Sequence, residues 1–422
     1  MFKFIHCADL HLDSPLRGLA EKQDAPVDDI RSATRRALEN LVDLAAVEKV
    51  DFVLIAGDIY DGDWQDYSTG LFFNRQMNRL NEHGIPVFLI RGNHDAASVI
   101  TRSLVLPENV KEFSVTEPET ITLDDIQVAI HGQGYSRRDI RENLSARYPD
   151  PVPGYFNIGL LHTALEGQEG HAPYAPAHLD ELVQKGYDYW ALGHIHKRQI
   201  VHEKPYIVYP GNIQGRHIKE TGEKGCSLVT VDGDIVTIEH RNLDVFRFYE
   251  CHVDISGIET IDHVSVAIKE SIQQYVDDNY GMPLALRVIL TGVTPLHWEL
   301  LHEEERYFHE VVNAASMVSH QVWIEKVRIK TAAPKDDIIL ARQGDALSNL
   351  LHHERIMEDD EFLQEILLDL QQIQRRLDAR LATPYTKLEE ATVIHSAADL
   401  EPLVKEAQDL LFGQLLKEGK EK

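Results

Sequence analysis

The chain has 422 residues, enough for two or three domains. Its 42 Lys and Arg against 69 Asp and Glu give a net charge of −27, which argues against broad, nonspecific adhesion to nucleic acid or anionic membranes. Three scattered cysteines are too few for a disulfide framework, and no stretch resembles a secretory signal or a membrane span. We therefore expect a soluble, cytoplasmic protein without a membrane partner.

The first ninety residues alternate between apolar stretches of strand length and longer helical patterns. We predict strands Phe2–Cys7, Phe52–Ala56 and Val87–Ile90, separated by helices Ser32–Glu48 and Ser68–Glu82. The second strand is apolar throughout rather than at alternate positions, which is typical of a sheet buried on both faces. The pattern indicates a β-α-β-α-β arrangement.

Four further strands are predicted, and each leads into a histidine or a Pro-Gly turn. They are Gln127–Ile130, Asn157–Leu161, Tyr187–Leu192 and Tyr206–Tyr209. Open α/β sheets build their binding sites in loops at the carboxyl ends of the strands. We therefore expect functional side chains in the loops that follow these strands.

The pattern changes after Gly225. A hairpin with an Asp-Gly turn is predicted from Cys226–Val231 and Ile235–His240. A separate α+β unit follows, with strand Phe246–Ile255, helix Thr260–Asp277, strand Leu284–Leu290, helix Trp298–Ala315 and strand Gln321–Lys330. We predict three domains, at residues 1–245, 246–333 and 334–422.

The last predicted domain is helical. Apolar residues lie three or four positions apart in Glu361–Leu381, close to a heptad seam, and Leu400–Leu416 is a second amphipathic stretch. These faces could dock a partner helix. Packing on their own chain, or pairing of two copies in a homodimer, is the alternative.

Five short pieces place metal-ligating residues at predicted strand ends. They are Asp9-Leu10-His11, Gly57-Asp58, Gly92-Asn93-His94-Asp95, Leu161-His162 and Gly193-His194-Ile195-His196. Carboxylate, imidazole and amide ligands suit divalent metals, and a bridging carboxylate allows two ions ~4 Å apart, as in two-metal phosphoester hydrolysis. Any one piece is weak evidence, but the order of all five predicts one two-metal site.

Asp58 is the best candidate for the bridging ligand, because the preceding Gly57 lets the backbone approach the metals closely. Asp9 and His11 are two residues apart, so they share a face of an extended segment and can chelate one ion. These residues would hold the first ion and the bridge.

The other ligands come from later strand ends. Asn93 supplies an amide oxygen, and His194 and His196, again two residues apart, could each serve one ion. A single histidine such as His162 is usually a hydrogen-bonded interior residue. We include His162 because the other four pieces accompany it in order.

His94 follows a ligand and could point at the substrate rather than at a metal. A protonated imidazole there could stabilise phosphate charge or protonate the leaving oxygen, and Asp95 could fix its tautomer. Divalent ions lower the pKa of bound water toward ~7–9, so hydroxide could attack phosphorus in line.

Longer strings around these pieces resemble a known family. They are Ala8-Asp9-Leu10-His11-Leu12-Asp13, Ala56-Gly57-Asp58-Ile59-Tyr60-Asp61, and Ala191-Leu192-Gly193-His194-Ile195-His196 followed by Tyr209-Pro210-Gly211-Asn212. They resemble the calcineurin-type metallophosphoesterases, in particular the SbcD-type DNA-repair exonucleases. The string from Tyr209 to His217, with Glu220, Lys224 and Gly225, is similar to the YhaO subgroup.

The resemblance implies an α/β fold: a two-sheet metallophosphoesterase sandwich flanked by helices, then a smaller α+β capping domain and C-terminal helices. It assigns the first metal to Asp9, His11, Asp58 and His196, the second to Asp58, Asn93, His162 and His194, and a catalytic role to His94. It further implies manganese as the usual metal, DNA as the substrate, and an SMC-like ATPase of the SbcC type as partner.

Two departures from the family pattern qualify these expectations. Asp61 stands where some relatives have a second histidine, so a DNA-positioning histidine is not expected there. The acidic capping region argues against autonomous binding of duplex DNA. The predicted function is a metal-dependent DNA exonuclease or endonuclease; a phosphodiesterase for small nucleotide substrates and an inactive scaffold are the alternatives.

Overall fold

The computed structural model describes residues 1–14, 27–61, 67–97, 105–165 and 175–334. The helices predicted at Glu361–Leu381 and Leu400–Leu416 lie outside the described residues. The chain divides into two compact units. The first contains Met1–Glu250, Asn279–Leu286 and Gln321–Glu325, and the second contains Cys251–Asp278, Arg287–His320 and the described part of Lys326–Lys422.

Two six-stranded sheets make up the first unit. In spatial order, the first sheet has β12 (Ile235–Asn242), β11 (Gly225–Asp232), β1 (Phe2–Cys7), β2 (Phe52–Ile55), β3 (Val87–Leu89) and β4 (Val110–Glu112). Strands β1 to β4 are parallel, and the hairpin of β11 and β12 adds to β1 in the antiparallel direction. The predicted β-α-β-α-β arrangement and the hairpin are therefore present.

The second sheet has the same number of strands. In spatial order, it has β5 (Glu119–Leu123), β6 (Val128–Gly132), β7 (Phe156–His162), β8 (Tyr189–Gly193), β10 (Tyr206–Tyr209) and β9 (Gln199–Glu203). Its four central strands are parallel, and β5 and β9 are antiparallel edge strands. Sequence reasoning missed β4, β5 and β9, because these edge strands are only three to five residues long and at most partly buried.

The sheets pack face to face around an apolar core. Phe4 and Phe52, opposite each other on β1 and β2, stack with ring centroids 5.0 Å apart, and Ile158 of the second sheet lies in the same core. On the other face of the first sheet, Ile5 and Val53 pack in the core formed with helices α1 (Val27–Glu48) and α2 (Tyr67–Glu82). This double burial explains the continuously apolar β2.

Two short helices complete the described part of this unit. Three residues, 90–92, separate helix α3 (Asn93–Ala97) from the end of β3, so α3 lies within the loop region that follows that strand. Helix α4 (Leu179–Gln184) packs Leu182 in the core outside the second sheet, where the indole N–H of Trp190 donates to the Leu182 carbonyl oxygen at 3.0 Å.

A third sheet of three strands follows. Its order is β13 (Arg247–Asp254), β14 (Leu284–Val293) and β15 (Val322–Ala332), and its helices are α5 (Ile261–Asp278), α6 (His297–His302) and α7 (Glu304–Val318). The helix predicted at Trp298–Ala315 is instead α6 and α7, because Glu303 takes the non-helical angles φ −114° and ψ 38°. The predicted domain bounds stay a prediction. Within the described ranges, none of the helices is long and apolar enough to cross a bilayer.

Candidate metal centre

The five polar pieces of the sequence meet where strands of both sheets end. The loops after β1 and β2 run side by side, because the Asp9 N–H donates to the Gly57 oxygen and the His11 N–H to the Asp58 oxygen, each at 3.0 Å. His194, after β8, reaches the same place, since its N–H lies 3.1 Å from each carboxylate oxygen of Asp9. One polar cluster thus joins the carboxyl ends of the two sheets.

The backbone of this cluster is unusual. Asp9, His11 and Asp58 have φ angles of 53°, 41° and 53°, and His194 has a φ of 102°. L-residues rarely adopt positive φ, and holding one in such a region costs on the order of 1–3 kcal/mol. Four candidate ligands therefore sit in conformations that the surrounding fold must maintain.

Two glycines allow the loops to approach each other this closely. A Cβ atom on Gly92 would overlap the Asp58 carboxylate, and one on Gly193 would overlap the Ala56 carbonyl oxygen. Glycine is needed at both positions for space rather than for a turn.

All seven predicted ligands come together. Three overlapping groups have donor atoms within 4.8 Å of one another: Asp9, His11 and His196; His11, Asp58 and His94; Asp58, His162 and His194. Asn93 joins them through its Oδ1, which lies 3.0 Å from Nε2 of His162. Asp58 and His11 each belong to two of these groups, and of these two side chains only the Asp58 carboxylate offers two oxygens.

Several metal-donor atoms of the cluster face one another as hydrogen-bond acceptors, an arrangement that suits a cation between them. Nδ1 of His162 lies 2.8 Å from the carbonyl oxygen of Ala56, which can only accept, so Nδ1 carries the proton. Burial lowers the pKa of His162, so its Nε2 is an unprotonated acceptor. This Nε2 faces two more acceptors, Oδ1 of Asn93 at 3.0 Å and Oδ2 of Asp58 at 3.5 Å. A cation held among these atoms would satisfy all three.

Charge supports the same conclusion. Asp9 and Asp58 are each only 1% exposed. Burial, and next the charge of Asp58, raises the pKa of Asp9 well above its ordinary value. Buried carboxylates are costly unless they are paired or coordinate metals. The residues present therefore fit a pair of divalent ions.

His94 lies at the open side of the cluster. Its side chain is 27% exposed, against 1% for His11, and its Nδ1 lies 3.0 Å from Oδ1 of Asp61. Burial lowers the pKa of His94, but Asp61 and Asp58 outweigh burial and raise the pKa above its ordinary value. The ring is placed to hold a proton beside the candidate ligands.

The orienting role of Asp95 stays a prediction, and the hydrogen bonds of Asp95 favour a structural role instead. Its buried carboxylate accepts the N–H groups of Ile59, Tyr60 and Gly92 at 2.9, 3.0 and 2.9 Å, and so joins the loops after β2 and β3. Neighbouring residues of a helix such as α3 do not face each other, and the hydrogen bonds given for the Asp95 carboxylate all come from backbone N–H groups. The carboxylate beside the His94 ring is Asp61, which also accepts the Ser14 hydroxyl at 2.7 Å.

Sequence reasoning gave no role to Glu220 or Arg216. Glu220, in the loop between β10 and β11, accepts from Nδ1 of His196 at 2.6 Å, and its Oε1 lies 3.3 Å from Arg216. Burial raises the pKa of Glu220, but His196 and Arg216 outweigh burial and hold the pKa well below its usual range. Glu220 lies in the string that resembles the YhaO subgroup, but no spacing rule links it to His196.

Comparisons with known proteins agree with this site. Residues 2–198 match the calcineurin-like phosphoesterase family, and residues 248–332 match the middle domain of metallophosphoesterase YhaO. The uncharacterized metallophosphoesterase YhaO of Bacillus subtilis (strain 168) is 38% identical over 296 residues, which cover 69% of this chain and 72% of that protein.

Two less similar proteins also align with this chain. The DNA double-strand break repair protein Mre11 of Sulfurisphaera tokodaii is 26% identical over 311 residues, 69% of this chain and 73% of that protein. The crystal structure of a dimetal phosphatase from Danio rerio aligns with a TM-score of 0.34 at 11% identity, covering 57% of this chain and 96% of its own.

The fold and the site define a metallophosphoesterase. The chain belongs to the calcineurin-like metallophosphoesterases and, within them, to the family of YhaO. The fold class and the family resemblance predicted from the sequence are confirmed.

Proposed function

We propose that this protein is a metal-dependent DNA nuclease, an exonuclease or endonuclease, that hydrolyses phosphodiester bonds in DNA repair. The observation that carries the proposal is the meeting of carboxylate, imidazole and amide donors from both sheets, with lone pairs that face one another. The similarity to proteins named for DNA double-strand break repair supports DNA as the substrate.

The donors divide between two ions, for which we propose Mn²⁺. The first would be held by Asp9, His11, Asp58 and His196, and the second by Asp58, Asn93, His162 and His194. When bound, such ions supply a water nucleophile at neutral pH and neutralise phosphate oxygens. Oδ2 of Asp58 lies 3.8 Å from Nε2 of His11 and 3.5 Å from Nε2 of His162, between the two sets of donors.

His94 is proposed as the proton donor to the leaving oxygen. Its Nδ1 lies 3.0 Å from Oδ1 of Asp61, so that carboxylate would stabilise the charge of a protonated ring, and Nε2 is left to serve the substrate. Asp61 in turn accepts the Ser14 hydroxyl, which keeps the carboxylate in place. This pair replaces the one predicted from the adjacent residues His94 and Asp95.

DNA binding is proposed to need a partner. The net charge of −27 opposes nonspecific attraction to phosphates, so an SMC-like ATPase of the SbcC type would supply much of the DNA-binding surface. The resemblance to SbcD-type nucleases supports this choice, and the amphipathic stretches beyond Pro334 are the proposed docking segments.

The test compares three substrates with the purified full-length chain and Mn²⁺: labelled linear duplex DNA, circular single-stranded DNA and bis-p-nitrophenyl phosphate. We expect cleavage of DNA and of the small diester, and loss of both in excess EDTA. Circular DNA separates endonuclease from exonuclease activity, because it offers no ends.

Other outcomes would contradict the proposal. Cleavage of the small diester without any cleavage of DNA, with the ATPase present, would favour a phosphodiesterase for small nucleotides. Robust cleavage in excess EDTA would refute the two-metal mechanism, and inactivity on all three substrates would favour a scaffold.

A further inference from the structure

The two ends of the metal centre are held by different chemistry. His162 donates from Nδ1 to a backbone carbonyl, that of Ala56, at 2.8 Å. His196 donates from Nδ1 to the carboxylate of Glu220 at 2.6 Å, the shorter of the two bonds. A charged acceptor strengthens a hydrogen bond and makes the opposite ring nitrogen a better metal ligand.

We propose that Glu220 is a positioning residue that aims His196 at the first ion and sets the affinity of that ion. The proposal rests on the two-metal function proposed above. With Nδ1 held by Glu220, Nε2 of His196 faces the first set of donors, 3.2 Å from Nε2 of His11 and 3.9 Å from Oδ1 of Asp9.

The surroundings of Glu220 hold its carboxylate in a fixed orientation. Glu220 is 7% exposed, and its Oε2 accepts the Arg216 backbone N–H at 2.8 Å and the Asn212 amide at 2.9 Å. Its Oε1 is left to face the Nδ1 of His196 and the Arg216 guanidinium. Each oxygen thus accepts from different donor groups, so the carboxylate cannot rotate without breaking several bonds.

A purely structural role is the competing explanation, because the same bonds also hold the loop from Asn212 to Glu220. The two roles predict different effects of removing Glu220 when His196 is absent. A positioning residue acts through the imidazole, whereas a loop anchor would matter equally when the imidazole is absent.

The experiment measures equilibrium binding of Mn²⁺ to the full-length chain, by isothermal titration calorimetry or by the electron paramagnetic resonance signal of free Mn²⁺. We expect Glu220→Ala to weaken the binding of one of the two Mn²⁺ ions by about 10–100-fold. This is the usual effect of removing the hydrogen-bond partner of a metal-ligating histidine. Glu220→Gln keeps an acceptor for His196 without the charge, so we expect a smaller loss. Glu223→Ala, in the same loop but exposed, is the matched control and should change affinity less than about twofold.

A double-mutant cycle decides between the roles. In a His196→Ala background, Glu220→Ala should change Mn²⁺ affinity by less than about twofold. An undiminished effect in that background, or unchanged affinity in the single variant, would overturn the proposal. If circular dichroism shows that Glu220→Ala does not fold, Glu220→Gln takes its place in the cycle. A wild-type chain that binds no divalent ion would instead refute the proposed function itself.

Discussion

His162 and His196 lie at the two ends of the candidate metal centre, but the fold secures them differently. The His162 side chain is inaccessible to solvent and is anchored by the backbone at the end of β2. The His196 side chain is 23% exposed and is anchored by Glu220, a side chain from another loop. The position of His162 therefore follows from the backbone of the sheets. The position of His196 depends on side chains, which single substitutions can remove.

The largest effect is expected where the two ends meet. Asp58→Ala removes the carboxylate that both sets of donors share, so both ions should be lost and hydrolysis should fall to the rate without enzyme. Metal analysis of the purified variant beside the activity assay tests this. Retention of two ions would mean that Asp58 does not bridge.

His94→Ala should separate chemistry from metal binding. We expect both ions to remain while hydrolysis falls about 10²–10⁴-fold, the usual contribution of an acid or base catalyst. The same two measurements apply. An empty site in this variant would make His94 a ligand, in line with its place in the group with His11 and Asp58.

Alanine variants of the two acidic residues near His94 should differ in stability and in activity. Asp95→Ala leaves three buried N–H groups without their acceptor, so the free energy of unfolding should fall by at least about 1–3 kcal/mol in urea titrations. Asp61→Ala removes a carboxylate that is 25% exposed and accepts a Ser14 hydroxyl, so the free energy of unfolding should fall by less than in Asp95→Ala. Its kcat should fall with Mn²⁺ affinity retained. Equal loss of stability in both variants would contradict the assignment.

The smallest effect on hydrolysis is expected at the far end of the chain. A chain that ends after Pro334 keeps every proposed ligand, so cleavage of bis-p-nitrophenyl phosphate should be largely unchanged. Co-purification with the ATPase should disappear, because the amphipathic stretches are gone. Equal retention of the ATPase by both forms would return these stretches to packing on their own chain or to self-association.

Much of the fold could be predicted because it depends on local patterns. The apolar runs of β1, β2 and β3 and the helical periodicity between them are properties of neighbouring residues. The short edge strands could not be predicted, because partners elsewhere in the sheet stabilise strands that are too short to show a clear pattern of their own. The break at Glu303 was missed because the helical pattern continues across it.

The sequence by itself determined which residues meet at the candidate site, because a ligand type at the end of a parallel strand identifies the edge to which it belongs. Only the tertiary structure decided which side chains contact and orient these residues. Asp61 rather than Asp95 faces His94, and Glu220 reaches His196 from a loop 24 residues further along the chain. Direction of a side chain and contact between distant loops follow from backbone angles and packing, which spacing in a sequence does not encode.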